Sequence, residues 1–404
     1  MIRALPVAFA CMLAVVLARS EQPSAAPEIG GTQDRIARLS ATLAARPFQR
    51  DAQTGFLRPF LDALNVPVES QLLVFSKTGV QHLYTSPHTP RALYFDESVV
   101  VGYVPGAPEI EIIAHDPVEG LAFYTLDQQT AAPVPKRQRS CLTCHESAST
   151  GDVPGLIVRS HTVGDDGTVV PQANGATPPS HDVNQRTPHP DRWGGWLVTS
   201  EGVAAPYAQR AHQGNITFTP DGNTSSHVFV DWMATAPETR GYPSSASDVV
   251  SLLAFDHQMP AINLMTRVNF AWRRASSEGR ASVDERPDIR RLVDELADYL
   301  LFGHEAALPV PLTPRPGFAV ALEKRLPHDA EGRSLAQFDA VNRLMRYACS
   351  YMVYSDAFKA LASPVRQAVY RRLLDSLMAS PTAPDRRATI EILQATIPDF
   401  TSQP

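Results

Sequence analysis

The chain has 404 residues, of which 44% are hydrophobic and 19% are charged, the balance of a globular protein with a sizeable core. Its formal net charge of −6 at pH 7 gives no basic footprint for nucleic acid, so we predict no nucleic-acid partner. The 35 prolines predict long stretches of irregular backbone.

The first residues have the pattern of a secretory signal peptide. Arg3 carries a positive charge, an apolar run extends from Ala4 to Leu17, and Ala18-Arg19-Ser20 places small residues two apart. The apolar run is too short for a membrane anchor, and polar sequence follows it directly. We therefore predict that residues 1–20 are removed on export and that no membrane span remains. The mature protein is expected to be soluble and periplasmic or otherwise exported.

Residues 21–135 are predicted to begin with helices and to continue as a β-rich region. Apolar residues at helical spacing predict helices over Asp34–Ala45 and Phe56–Leu64. The spacing then changes to that of strands, and we predict a hairpin that pairs Gln71–Ser76 with Val80–Tyr84. Further strands, separated by turn sequences, are predicted at Ala92–Val104, Glu109–Ala114 and Leu121–Leu126.

The stretch Cys141-Leu142-Thr143-Cys144-His145 has the pattern C-x-x-C-H, which is typical of a c-type haem attachment site. Two thiols separated by two residues can bond to the two vinyl groups of one haem. The histidine that follows can reach the iron as its proximal ligand. We therefore predict one covalent haem c bound by Cys141, Cys144 and His145. Export agrees with this prediction, because haem c is attached outside the cytoplasm.

Three other interpretations of the motif compete with a haem site. A thioredoxin-like redox motif needs a strand before it and a helix after it, but a basic loop with prolines precedes the motif and Pro154-Gly155 follows it. A zinc site needs a second pair of ligands, usually another C-x-x-C or H-x-x-x-H, which the sequence lacks. A disulfide between Cys141 and Cys144 is the third interpretation, and it would not need His145.

Residues 136–243 carry the haem motif and are predicted to be largely irregular, because proline, glycine and asparagine are frequent there. Within them, Trp193 and Trp196 flank a pair of glycines. One interpretation is a wall at the haem edge, formed in part by Trp196, with Arg192 paired to a propionate. The other interpretation is a buried strand that follows a Gly-Gly bend.

Residues 244–404 are predicted to be helical and to pack on the haem region. The longest helix is predicted over Ser247–Arg273. Four further helices are predicted at Pro287–Phe302, Leu335–Phe358, Val365–Met378 and Arg386–Thr396. The predicted fold class is α+β, with a β-rich N-terminal half, an irregular haem-bearing segment and a helical C-terminal half.

The sixth iron ligand, if the position is not open, must lie far in sequence from His145. His257 is on the apolar face of the long predicted helix, where a buried imidazole needs a polar partner. We name it as the second metal ligand, and a hydrogen bond to the protein is the alternative. The other candidates are thioethers and imidazoles at Met259, Met265, His212 and His189. Cys349 is predicted to be a free thiol buried in a helix.

Several motifs along the mature chain are similar to those of one group of proteins. They are Tyr124–Gln128, the C-x-x-C-H motif, Val153-Pro154-Gly155, Val158-Arg159-Ser160, Arg192–Trp196, His212-x-Gly214-Asn215, His257-Gln258 and Cys349-Ser350-Tyr351. On these residues the chain resembles large exported bacterial proteins with a single haem c motif, over most of its mature length. The resemblance implies a periplasmic cytochrome-like protein.

Three classes of function are compatible with one haem c. The first is electron transfer between periplasmic donor and acceptor proteins through a six-coordinate haem. The second is a haem enzyme, a peroxidase or a small-molecule oxidase, with an open distal site. The third is a haem-based redox sensor. The sequence carries no signal for the oligomeric state.

Overall fold

Two helices begin the described chain, strands follow them, and helices form the C-terminal half. The computed structural model describes residues 34–43, 45–164, 166–170, 180–198, 241–244, 246–279, 282–309, 311–312, 317–379 and 384–400. All of these residues belong to one unit, Thr32–Pro404. The fold class is α+β, as predicted. The predicted signal peptide lies outside the described residues.

A mostly hairpin-connected antiparallel sheet forms the N-terminal half. Its strands are β1 (Leu72–Val74), β2 (Arg91–Phe95), β3 (Val99–Tyr103), β4 (Glu109–Asp116), β5 (Gly120–Asp127), β6 (Lys136–Arg137) and β9 (Trp196–Leu197). The strand order is β6-β5-β4-β3-β2-β1-β9. A separate two-stranded ribbon pairs β7 (Val158–Ser160) with β8 (His181–Val183).

The two faces of the sheet are covered differently, because successive residues of a strand point to opposite sides. Tyr94 and Ile112 are fully or almost fully buried on the face that packs with helices α1 (Arg35–Leu43) and α2 (Leu57–Leu64). Phe95 and Phe123 are buried on the other face, in the core that includes helix α4 (Val249–Ser277). Each such aromatic side chain contributes roughly 2–3 kcal/mol by leaving water.

Helix α4 is buried around most of its circumference and lies at the centre of the protein. The Asp248 carboxylate caps its first turn, accepting hydrogen bonds from the backbone N–H groups of Val250 and Ser251. Pro260, inside the helix, has no N–H to donate to the carbonyl of residue 256. The Tyr299 hydroxyl of a partner helix lies 3.5 Å from the freed Asp256 carbonyl and 3.2 Å from the His257 carbonyl, so it replaces part of the lost bonding.

The C-terminal half is helical. Beyond α4 come α5 (Pro287–Leu300), α6 (Phe318–Arg325), α7 (Asp356–Lys359), α8 (Ser363–Met378) and α9 (Pro384–Thr396), and the motif itself forms the short helix α3 (Leu142–His145). Helix α5 packs between α4 and α8, and α8 packs on α9. No helix in the described part of the chain is both long enough and apolar enough to cross a membrane.

The predicted hairpin over residues 71–84 is wrong. Strand β1 pairs with β2 and β9, and the residues after it form consecutive turns. In these turns the N–H of His82 donates to the Gly79 carbonyl at 3.1 Å, and that of Thr85 donates to the His82 carbonyl at 3.2 Å. The predicted strand at Ala92–Val104 is in fact two strands, because the Asp96 side chain accepts from the N–H groups of Ser98 and Val99 and turns the chain.

The predicted helix over Leu335–Phe358 is also wrong. Residues 335–350 are irregular, and only a 3₁₀ turn at Tyr351–Tyr354 and helix α7 follow. Serine side chains bond to the backbone here in place of a continuous helix: Ser350 accepts from Met352 N–H at 3.0 Å, and Ser355 accepts from Phe358 N–H at 3.1 Å. Cys349, within this irregular stretch, is a free, buried cysteine, as predicted. It does not lie in a helix, contrary to the prediction.

Candidate functional site

The C-x-x-C-H motif lies on one helical turn. A 3₁₀ turn at Arg139–Cys141 leads into α3, so Cys141, Cys144 and His145 are related as positions i, i+3 and i+4 of a helical segment. Residues at this spacing lie on the same side of a helix. Cys141 and Cys144 are both free thiols, the first half-buried and the second exposed. The turn therefore presents two thiols and one imidazole on one side.

A backbone carbonyl fixes the imidazole of His145. Its Nδ1 lies 3.1 Å from the carbonyl oxygen of Gly155. Because a carbonyl can only accept, Nδ1 carries the proton and Nε2 carries the lone pair. Burial lowers the pKa of His145 below its usual value, and Arg91 lowers it further. The ring also packs on Phe123, with 4.8 Å between the ring centroids. His145 is thus a neutral, oriented imidazole with its lone pair on Nε2.

The carbonyl that orients His145 is itself held from helix α4. The Asn263 side chain makes two hydrogen bonds to Leu156, the residue after Gly155: Oδ1 accepts from the N–H at 3.0 Å and Nδ2 donates to the carbonyl at 2.7 Å. The N–H of Gly155 donates back to the His145 carbonyl at 2.8 Å. A Cβ atom at Gly155 would lie 2.5 Å from Asn263 Oδ1, so only glycine allows this approach.

Asn263 is not among the site residues predicted from the sequence. Two signals in the sequence could have indicated it: a polar residue within a helix that is otherwise largely apolar, and the Pro154-Gly155 pair close after the motif. A polar side chain on a buried helix face needs a partner, and a glycine often marks a close backbone approach. Neither signal tells which loop meets which helix, because the two residues are 108 positions apart in a chain whose topology is not yet known.

The motif faces a strip of sheet that α4 leaves partly uncovered. Leu93, Gly102 and Glu111 stand opposite one another on β2, β3 and β4, so they share one face of the sheet. Phe123, on which His145 packs, lies on this same face. Leu93 and Glu111 are only half-buried, whereas Gly102 between them is buried, and the Arg91 guanidinium pairs with the Glu111 carboxylate at 3.4 Å. We call Leu93, Gly102 and Glu111 the open strip.

Electrostatics connect the open strip to the motif. Burial raises the pKa of the Cys141 thiol, and the Glu111 carboxylate raises it further. The same carboxylate acts on the His145 imidazole, where it opposes the effect of burial and of Arg91. Both the thiol and the imidazole of the motif therefore lie within electrostatic reach of the open strip. Carboxylate and guanidinium groups beside a ligand influence how readily a cofactor changes its charge.

The structure places Arg192 away from this strip. Its guanidinium is buried and donates to the carbonyls of Thr187 (2.8 Å) and Gln185 (2.9 Å) and to the Asp256 carboxylate (3.1 Å). All three nitrogens are used within the protein. Arg192 is therefore not available to a propionate in this arrangement. Its partner Asp256 is fully buried, and burial raises the pKa of Asp256 to about 7.

Trp196 agrees with the alternative interpretation of its motif, a buried strand after a glycine bend. It pairs with Val74 in the sheet, and its indole N–H donates to the Arg159 carbonyl at 2.9 Å. Trp193 is likewise buried, with its indole N–H on the Asp256 carboxylate at 2.9 Å. The two tryptophans pack in the interior, and their N–H groups have protein partners.

His257 also agrees with its alternative, a buried histidine bonded to the protein. Its Nδ1 hydrogen-bonds to Gln185 Oε1, its Nε2 lies 2.6 Å from Ser350 Oγ, and its ring stacks on Tyr299. Burial lowers the pKa of His257 to about 3. The structure does not bring it to His145, because it faces α5 and Ser350 whereas His145 faces Phe123. Both of its ring nitrogens are used, so iron would have to displace a protein partner.

The other ligand candidates do not gather at the motif either. Met259 and Met265 are buried in the core on α4, and the Ser355 hydroxyl donates to the Met265 sulfur at 3.8 Å. His189 is buried beside Arg192, which together with burial lowers the pKa of His189 to about 3. His212 lies outside the described residues. Within the described part of the chain, no group of three or more His, Cys, Asp or Glu side chains could hold a bare metal ion.

A comparison of the chain with protein-family models, with curated proteins and with solved structures finds no match. Two free thiols on one helical turn, followed by an imidazole whose Nδ1 is hydrogen-bonded and whose lone pair is on Nε2, form a donor set that would fit a covalently attached haem.

Proposed function

We propose that this protein is an exported c-type cytochrome-like protein that binds one haem c through Cys141 and Cys144, with His145 as the proximal iron ligand. One observation carries the proposal: His145 is held by the Gly155 carbonyl at Nδ1, which leaves Nε2 as the ligand atom one residue after Cys144. Metal-ligating histidines characteristically donate their other ring N–H to a carbonyl or a carboxylate. A histidine beside a plain disulfide would not need this support.

The haem, when bound, would supply a one-electron iron couple. The residues of the chain have distinct parts in this. Cys141 and Cys144 would hold the porphyrin through thioethers, and His145 would donate its Nε2 lone pair. The hydrogen bond to the Gly155 carbonyl makes the imidazole a stronger donor, which favours the oxidised state. Asn263 keeps that carbonyl in place.

Electron transfer between periplasmic donor and acceptor proteins is the activity we infer. Cys144 is exposed, so the group bonded to it would be within reach of a partner protein at the surface. The pattern of a signal peptide in residues 1–20 supports export, and the resemblance to large exported proteins with a single haem c motif supports the same localisation.

Haem staining after denaturing electrophoresis tests the proposal. The protein should be co-expressed with a haem c maturation system, with Cys141→Ser and Cys144→Ser combined in one variant and Cys349→Ser in another. We expect a stained band in the wild type and in Cys349→Ser, because Cys349 is a buried thiol outside the motif. The double variant should have no stained band. A wild type that stains no more strongly than the double variant would refute covalent haem binding.

A further inference from the structure

The turns after β1 expose large apolar side chains at the open strip. Val80 is 81% exposed, Leu83 is 85% exposed and Tyr84 is 45% exposed, all within the segment Gly79–Thr85. Gln81 and Thr85 of the same segment are buried. We call Gly79–Thr85 the turn segment. A concentration of apolar side chains facing water within one short segment indicates a surface that another group covers.

The turn segment is fastened to the sheet beside the open strip. Gln81 Nε2 donates to the carbonyl of Glu109 at 2.9 Å, and it lies 3.4 Å from Glu111 Oε1. The N–H of Glu109 donates back to Gln81 Oε1 at 3.3 Å. Gly79 packs so closely on the Arg91 guanidinium that a Cβ atom would collide with it. The apolar side chains of the turn segment are therefore held in place at the ends of β2 and β4.

The C-x-x-C-H motif borders the same strip. His145 packs on Phe123, which shares the sheet face of Glu111, and the Glu111 carboxylate acts on both Cys141 and His145. The turn segment contacts that same carboxylate and its partner Arg91. The motif and the turn segment therefore both lie beside the open strip. Gly102, in the middle of the strip, has no side chain that would project from the sheet.

His82 is exposed and has the same internal support as His145. Its Nδ1 lies 3.2 Å from the carbonyl oxygen of Gly79. Because that carbonyl can only accept, Nδ1 carries the proton and the lone pair is on Nε2. Histidines that bind a metal through one ring nitrogen usually donate the N–H of the other to a carbonyl or a carboxylate. The exposed segment therefore offers a ligand atom as well as an apolar surface.

We propose that His82 is the distal iron ligand and that Val80, Leu83 and Tyr84 form the apolar wall on that side of the haem. The proposal rests on the proposed function, since it assigns the second face of the same haem. The occupant of the apolar surface is then the flat, largely apolar porphyrin. His82 would bind through its Nε2 lone pair, while Nδ1 keeps its hydrogen bond to the Gly79 carbonyl.

Spectra of the purified haem-loaded protein test the ligand. Ferric and ferrous spectra with and without carbon monoxide should be compared for the wild type, His82→Ala and the control His88→Ala, an exposed histidine six residues further on. We expect a low-spin wild type that does not bind carbon monoxide. His82→Ala should become high-spin and bind the gas, and added imidazole should restore the low-spin form. His88→Ala should match the wild type.

Two results would overturn this assignment while leaving covalent haem intact: a high-spin wild type, or a His82→Ala variant whose spectra equal those of the wild type. In both cases the haem-stained band persists, which separates failure of this inference from failure of the proposed function. A His82→Met variant adds a graded readout. It should stay low-spin with a raised reduction potential, because a thioether stabilises the reduced iron more than an imidazole does.

Hydroxyl-radical footprinting tests the wall without reference to spin state. Oxidation of Leu83 and Tyr84 should be several-fold slower in the haem-loaded protein than in the haem-free Cys141→Ser, Cys144→Ser variant. Met378, whose side chain is exposed on α8, serves as a control that haem should not protect. Equal oxidation of Leu83 and Tyr84 in the two proteins would show that haem does not cover the turn segment.

Discussion

The side chain of Asn263 hydrogen-bonds to both backbone groups of Leu156, accepting at 3.0 Å and donating at 2.7 Å. This pair joins the central helix α4 to the loop that orients His145. The preceding carbonyl, that of Gly155, is the acceptor for His145 Nδ1. A residue of the helical half therefore sets the position of His145, although it does not contact His145.

Replacement of Asn263 by alanine should affect both stability and the haem. Two buried backbone groups lose their partners, which costs about 2–4 kcal/mol in the free energy of unfolding. A less firmly held Gly155 carbonyl should weaken the imidazole as a donor and raise the reduction potential. Asn269→Ala is the control, since Asn269 lies on the same helix but donates to the Pro117 carbonyl. A shift in potential as large in the control as in Asn263→Ala would contradict the positioning role.

Replacement of Gly155 by alanine should be destabilising because of a steric clash. The new methyl group would lie 2.5 Å from Asn263 Oδ1 and 2.8 Å from Thr150 Cβ, and overpacking of this kind costs about 1–3 kcal/mol. Gly164→Ala is the control, since its nearest neighbour would be an ordinary contact at 3.7 Å. In the double variant with Asn263→Ala the two losses should not add, because part of the clash is gone. Strict additivity, measured by chemical denaturation, would show that the two residues act independently.

Acid should destabilise the protein in part through His257. Burial lowers the pKa of His257 from 6.5 to about 3, so between these values the unfolded chain binds a proton that the folded chain does not. The free energy of unfolding therefore has its full value, as far as His257 is concerned, above pH 6.5. It decreases by about 1.4 kcal/mol per pH unit as the pH falls from 6.5 toward 3.

A His257→Gln variant isolates that contribution. Asp256, whose pKa is raised to about 7, acts with the opposite sign in the same range, but it is present in both proteins. We therefore expect the free energy of unfolding to fall less steeply between pH 6.5 and pH 4.5 in the variant than in the wild type. Parallel curves would show that His257 is protonated in the folded protein, contrary to its buried, hydrogen-bonded setting.

The Cys349 thiol should be inert in the native protein. It is completely buried, and burial raises the pKa of Cys349 to about 12, so hardly any thiolate is present at neutral pH. With haem on Cys141 and Cys144, a thiol reagent should modify no group in the folded protein and one group per chain in denaturant. Cys349→Ser should give none in either condition. Rapid modification of the folded wild type would show that the site is accessible.

Elements with an unambiguous hydrophobic period could be predicted from the sequence. The predicted helices at the positions of α1, α2, α5, α8 and α9 and the strands β4 and β5 are confirmed within a few residues. The C-x-x-C-H motif can be identified without knowledge of the fold, because its residues are consecutive in the sequence. Helix α4 was also predicted from the sequence, although it is buried on nearly all sides, because an apolar pattern of this length is typical of a buried helix.

The failures have a common physical cause, which is tertiary context. Val80, Leu83 and Tyr84 have the apolar pattern of a strand but face outward in turns, since Gln81 is anchored to β4. Residues 335–350 have helical spacing but are turned by side-chain bonds to the backbone. Arg192 was interpreted as a propionate partner because it adjoins the Trp-Gly-Gly-Trp stretch, and His257 as an iron ligand because an imidazole on an apolar helix face needs a partner. Their partners are other protein groups, Asp256 and Ser350, which lie 64 and 93 positions away.

Intact-mass spectrometry under denaturing conditions tests the central claim most directly. Denaturation releases haem that is bound only by coordination, whereas thioether bonds to Cys141 and Cys144 survive it. We predict that the exported wild type carries the mass of one haem on the mature polypeptide and that the Cys141→Ser, Cys144→Ser variant has the mass of the polypeptide without haem. A wild type with the mass of the bare polypeptide, produced beside a functioning maturation system, would contradict covalent haem attachment.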